Sequence, residues 1–166
     1  MAIAGMSTSP ARCRGRWWAL GFTLIEMLLV LAIVATLTSI AIPQTRRAVT
    51  LAKIARAIGD IRAVEADLAT YDADNKLPPS LADIGDGGLL DPWGNPYQYL
   101  PFDQSKGKGA PKGARKDRFM VPINSTYDLY SMGEDGKTSA PLTSKAGSDD
   151  IIRASDGSYI GLASNY

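Results

Sequence analysis

Residues 22–42, FTLIEMLLVLAIVATLTSIAI, are apolar at nearly every position, and this run constrains the chain more than any other feature. As an α-helix rising ~1.5 Å per residue it would be about 31 Å long, the thickness of a bilayer's hydrocarbon core at roughly 30 Å. The spacing therefore predicts a membrane span near the start of the chain. Arg12, Arg14 and Arg16 precede it and residues 1–21 contain no acid. Positive flanks stay in the cytoplasm, so the N-terminus lies inside and everything after Pro43 outside, with Arg46 and Arg47 opposing this only locally. A secretory signal peptide fits less well. Its apolar region is usually about 7–15 residues and ends at small residues, whereas this run contains Glu26 and exits through Ala41-Ile42-Pro43-Gln44.

The rest of the 166 residues suffices for one modest domain. The sequence has no histidine, which excludes Ser-His-Asp and Cys-His catalysis and histidine metal ligands. Its one cysteine, Cys13, lies in the first segment, so residues 22–166 have no thiol for a disulfide, a nucleophile or a metal. Those residues hold 15 basic and 17 acidic side chains. Such a balance argues against a nucleic-acid partner, which selects a basic face.

Glu26 is the anomaly in the span. A carboxylate in an apolar helix costs ~2.5–3.5 kcal/mol at the bilayer centre and less near the interface, so a positive group should compensate it. A new amino terminus, created by cleavage and carried by another copy, is the nearest candidate. Gly21-Phe22 offers the cut, because glycine lets an extended backbone lie close against a protease. Gly21-Phe22-Thr23-Leu24-Ile25-Glu26, followed by an apolar run ending at Pro43, resembles the class III leader of type IV pilins and type II secretion pseudopilins. The resemblance implies cleavage after Gly21 by a prepilin peptidase, N-methylation of Phe22, a role for Glu26 in assembly and a helix kink at Pro43. The leader is long for that family, and Trp17-Trp18-Ala19-Leu20 separates its arginines from Gly21.

Beyond Pro43, Ile54, Ile58, Ile61, Val64, Leu68 and Tyr71 recur at helical spacing. The span and this stripe read as one interrupted helix from Phe22 to about Asp72. Its apolar side faces a core, while Arg56, Asp60, Arg62, Glu65 and Asp67 lie on the solvated faces. Asp74-Asn75-Lys76-Leu77-Pro78-Pro79 stops it. Asp91-Pro92-Trp93-Gly94-Asn95-Pro96-Tyr97-Gln98-Tyr99 is a turn delivering a short strand, with Trp93 plugging the core. The basic, glycine-bearing stretch 104–118 predicts a mobile, solvated loop. Phe119–Pro122, Tyr127–Ser131, Ile151–Arg153 and Tyr159–Ile160 predict antiparallel strands. The fold class is α+β: a long N-terminal helix packed on a small antiparallel C-terminal sheet with long loops. Residues 1–21 form the leader, 22–45 the membrane and filament-core half of the helix, and 46–166 a periplasmic globular domain.

The segments DPWGNPYQY and YDLYSMGEDGK with DDI resemble the major, G-type pseudopilins of type II secretion. By that resemblance Asp135, Asp149 and Asp150 supply side chains to a structural Ca²⁺, with Met132 a carbonyl donor, although 13 residues separate Asp135 from Asp149. The implied protein is no enzyme. It is a single-pass inner-membrane protein whose copies polymerise into a periplasmic pseudopilus driving proteins across the outer membrane. Its implied partners are minor pseudopilins, the prepilin peptidase and the inner-membrane assembly platform. A type IV pilin for adhesion, twitching or DNA uptake is the alternative; such pilins often close a C-terminal loop with a disulfide, which this mature chain cannot form. A membrane-tethered enzyme using Asp149-Asp150 and a calcium-dependent ligand-binding module are rivals of other classes.

Overall fold

Thr23 starts the long helix. Its backbone carbonyl accepts from the Glu26 and Met27 N–H groups at 3.1 and 3.3 Å, and its Oγ1 also accepts from Glu26 N at 3.3 Å. A threonine whose hydroxyl satisfies the third N–H of the first turn is an N-cap, and a glutamate in that turn complements the helix dipole. The computed structural model describes residues 21–71, 77–102 and 111–166. The leader up to Leu20, the helix-stop residues Asp74-Asn75-Lys76 and the basic residues Lys106 and Lys108 lie outside them.

Among the described residues, α1 (Leu24–Tyr71) is followed by β1 (Gln98–Pro101), β2 (Tyr127–Ser131), β3 (Ile151–Ala154) and β4 (Tyr159–Leu162). The arrangement is α+β, as the residue pattern predicts. Pro43 stands inside α1, and the chain divides into two compact units between Pro43 and Gln44. In the first unit every described residue is exposed.

In the second unit, α1 buries Ala57, Ile61, Val64 and Leu68 at spacings of four, three and four. Burying each of the three larger side chains stabilises the fold by about 1.5–3 kcal/mol. The buried stripe is rotated slightly from the sequence reading. Ala57 is fully buried, Ile54 and Ile58 are only partly so, and Tyr71 is exposed. Ala57 opens the buried stripe with a methyl side chain, a small residue that a search for large apolar side chains overlooks.

The sheet is an antiparallel meander in the order β1-β2-β3-β4. Tyr127, Leu129 and Ile151 face the α1 stripe together with Tyr97 and Leu81, and Trp93 packs at the edge of this core as expected. Ile152 and Ala154 face a second core with Ile123, Leu142 and Ala163. Because strand side chains alternate between faces, Asp128 and Tyr130 share that second side. All four residues of β3 are consequently buried.

The expected strand Phe119–Pro122 does not form. Asp117 N–H donates to the Met120 carbonyl at 2.9 Å, turning the chain there, and Phe119 is 96% exposed. Pro122 has no N–H to offer a ladder, and among the described residues no strand is paired with the segment.

Candidate functional site

The first unit presents one long apolar surface. Leu24, Ile25, Leu28, Leu29, Leu31 and Leu37 are each more than half exposed. Its hydroxyls are suited to an environment without water. Thr36, Thr38 and Ser39 donate to the carbonyls of Ile33, Val34 and Thr36, each at 2.7 Å, so their polar groups are satisfied within the helix. Glu26 is the exception: among the described residues its carboxylate makes no hydrogen bond or ion pair, and it is the only charged side chain between Gly21 and Thr45. Phe22, 72% exposed, lies just before the helix. Among the described residues, nothing lies within 4 Å of where a Cβ on Gly21 would stand.

The second cluster surrounds the loop between β2 and β3. Asp91, buried, holds its own turn by accepting from Trp93 N and Asn95 N at 3.0 and 2.8 Å, and it accepts from Ser131 Oγ at 2.6 Å. Asn95 Nδ2 donates to the Gly133 carbonyl at 3.2 Å. DPWGN and SMGEDG, which the sequence presents as separate motifs, are thus one hydrogen-bonded unit.

The structure brings Asp149 to the Asp135 backbone but does not gather Asp135, Asp149 and Asp150 into one carboxylate cluster. Asp135 Oδ1 accepts from Lys137 N at 2.8 Å within its own turn. Asp149 Oδ2 accepts from Glu134 N and Asp135 N at 3.1 and 3.2 Å. Asp150 turns the other way as the chain enters β3, where Oδ2 meets the Arg115 guanidinium and accepts from Thr138 Oγ1 at 2.7 Å. Among the described residues no three acidic side chains form a group able to hold a metal ion. Asp150 Oδ1 is buried without a hydrogen bond among the described residues, but a cation reaching it would lie beside a guanidinium already on the same carboxylate. The donor set does not fit Ca²⁺.

Arg115 is the residue that sequence reasoning missed. It sits in the stretch expected to be a solvated basic loop, yet it is 2% exposed. Its backbone N–H donates to Asp128 Oδ2 at 2.6 Å, and its guanidinium lies 3.7 Å from the Tyr130 ring centroid. Burial pushes the Asp128 and Asp150 carboxyls above the ordinary carboxylate range, against the opposing pull of their hydrogen bonds and of Arg115. No local sequence signal marks it, because its side-chain partners Thr138, Ser139 and Asp150 lie 23, 24 and 35 residues away.

Two acids expected on the solvated faces of α1 instead bond other parts of the domain: the residue before β1 and a residue of β3. Asp60 accepts from the Tyr97 hydroxyl at 3.0 Å, and this bond, after burial, raises the phenol well above its usual range. Glu65 Oε1 accepts from Arg153 Nε at 2.8 Å.

The chain is 34% identical over 139 residues to the type II secretion system core protein G of Pseudomonas aeruginosa, spanning 70% of this chain and 84% of that protein. It belongs to the type II secretion system core protein G family. The Aeromonas hydrophila member is 30% identical over 154 residues, covering 80% of this chain and 89% of its own length. That of Vibrio cholerae serotype O1 is 29% identical over 140 residues, covering 70% and 82%. No protein-family model matches the chain. No solved structure matches it either. The chain is therefore a secretion pseudopilin, a structural component of that machinery rather than an enzyme, and α1 carries its candidate membrane span.

Proposed function

We propose that this pseudopilin is the repeating subunit of a periplasmic filament whose assembly from the inner membrane drives proteins across the outer membrane. The observation that carries the reading is the Glu26 carboxylate, unpartnered among the described residues, on an exposed apolar helix face. A surface of that kind requires lipid or other copies. A lone carboxylate on it requires a cation from outside the described residues. After a cut between Gly21 and Phe22, the N-methylated amine of Phe22 in a neighbouring subunit supplies that charge as the copy leaves the bilayer. A desolvated pair then sets the register between copies, since leaving either partner alone is far costlier than shifting an apolar contact.

Membrane insertion, prepilin-peptidase processing and docking on an inner-membrane assembly platform precede that step, with minor pseudopilins as further partners. Intact-mass measurement of the protein extracted from membranes tests the processing. The expected mass lacks residues 1–21 and includes one added methyl group. A mass retaining those residues would remove the amine on which the assembly mechanism rests.

A further inference from the structure

The three acids that a calcium loop would use are dispersed among protein donors, and one cationic group is already buried in the middle of that region. Arg115 reaches it on a folded-back segment. Its carbonyl accepts from Ile123 N at 3.1 Å, and the next residue pairs with the far loop, Lys116 N donating to Ala140 O and Leu142 N to Lys116 O, each at 3.0 Å. The side chain then spans three parts of the chain. One terminal nitrogen donates to the Ser139 carbonyl, while the other donates to Thr138 Oγ1, at 2.5 Å, and to Asp150 Oδ2. The Tyr130 ring covers its face and fixes the plane. A guanidinium is a rigid fork of donors that remains protonated at every physiological pH, and it is more weakly hydrated than an ammonium. Those are the properties needed to hold loop carbonyl, hydroxyl and carboxylate oxygens at a dry site.

We propose that the Arg115 guanidinium is the cation that organises the β2–β3 loop of this pseudopilin, fixing the loop without a metal ion. On this reading Thr138 and Ser139 are pinned to the second face of the sheet by a side chain. Asp149, Asp91 and Asn95 hold the opposite end of the loop through neutral N–H and hydroxyl donors. The proposal concerns one copy of the chain, so it stands or falls separately from filament assembly.

The test is a set of thermal melts on full-length protein in detergent micelles, in millimolar CaCl₂ and in EGTA, for wild type, Arg115→Gln, Arg115→Lys and Asp150→Asn. The wild-type Tm should be the same in calcium and in chelator. Removing one partner of a buried charge pair should lower Tm by roughly 10 °C or more, and limited proteolysis should then cut within residues 137–145. Arg115→Lys should recover little, because a single compact ammonium lacks the two separated nitrogens that reach Ser139 and the Thr138–Asp150 pair, and the planar face that lies on Tyr130. A wild-type Tm that rises by several degrees in calcium would overturn the proposal, as would an Arg115→Gln protein with unchanged Tm and unchanged loop cleavage. If Arg115→Gln fails to fold, the wild-type comparison and Asp150→Asn still decide. A calcium-dependent wild type, or an Asp150→Asn protein as stable as wild type, would contradict the guanidinium anchor.

Discussion

The ion pair between α1 and β3 offers a quantitative test of how the helix is held on the sheet. Arg153 Nε donates to Glu65 Oε1 at 2.8 Å across 88 residues of sequence, with the arginine side chain 6% exposed and the glutamate 27%. Among the described residues, removing Glu65 leaves the guanidinium weaker company: Asn124 Oδ1 at 3.3 Å, the Tyr127 carbonyl at 3.5 Å, Asp156 Oδ1 at 3.8 Å and the Tyr127 ring, its centroid 4.1 Å away. Hydrogen bonds to charged groups contribute about 1.5–3 kcal/mol net, and exposed pairs roughly 0–1. With one partner buried and the other partly wet, Glu65→Ala should cost about 2 kcal/mol, a fall in Tm of roughly 8 °C for a unit of this size. Thermal melts in micelles of Glu65→Ala, Arg153→Met and the double variant give the coupling between the two sites. The coupling should exceed ~1 kcal/mol, whereas Asp67→Ala, on an exposed position of the same helix, should stay within about 0.5 kcal/mol of wild type. A coupling below ~0.5 kcal/mol would refute the claim that this pair anchors the helix.

Three further outcomes follow from the same geometry. Burial raises the Asp128 carboxyl above its ordinary value of 3.8, so its contribution to stability is complete below that value and lost as pH rises through the folded-state value. The Tm of wild type relative to Asp128→Asn should therefore increase as melts move from about pH 7 to about pH 4, and a flat difference would contradict the burial argument. Gly133 has φ +67° and a Cβ there would lie 2.7 Å from Asp149 Oδ2; Gly133→Ala should cost at least ~2 kcal/mol in chemical denaturation, and a neutral result would mean that the turn is loosely held. Val121, 63% exposed in the segment that fails to form a strand, should accept serine within ~0.5 kcal/mol in the same assay.

Periodicity carried most of the fold. The long apolar helix start is readable from its unbroken apolar run, and the amphipathic half of α1 and the strands containing Tyr127, Ile151 and Tyr159 from apolar side chains at a period set by local backbone geometry. The loops were not readable, since their order comes from long-range polar contacts that no local pattern encodes. Arg115 looked like one more charge in a basic, glycine-bearing stretch until Asp150, 35 residues away, was placed beside it. Asp149 and Asp150 looked like a pair, and the alternation of a chain entering a strand sends them to different partners. Phe119-Met120-Val121 has strand composition but no neighbour to pair with, and composition alone cannot supply one. Glu26 was readable for the opposite reason: a carboxylate in an apolar helix stands out whatever surrounds it.

The central claim is that Glu26 holds neighbouring copies together, and it is tested most directly by comparing filament formation by wild type and Glu26→Ala at equal membrane levels. Filaments are sheared from cells and the copies crosslinked. The alanine variant should insert and be processed normally, since the insertion penalty of an acid is gone, yet yield almost no sheared filament or crosslinked multimer. Filaments from Glu26→Ala equal in amount to those of wild type would contradict the account.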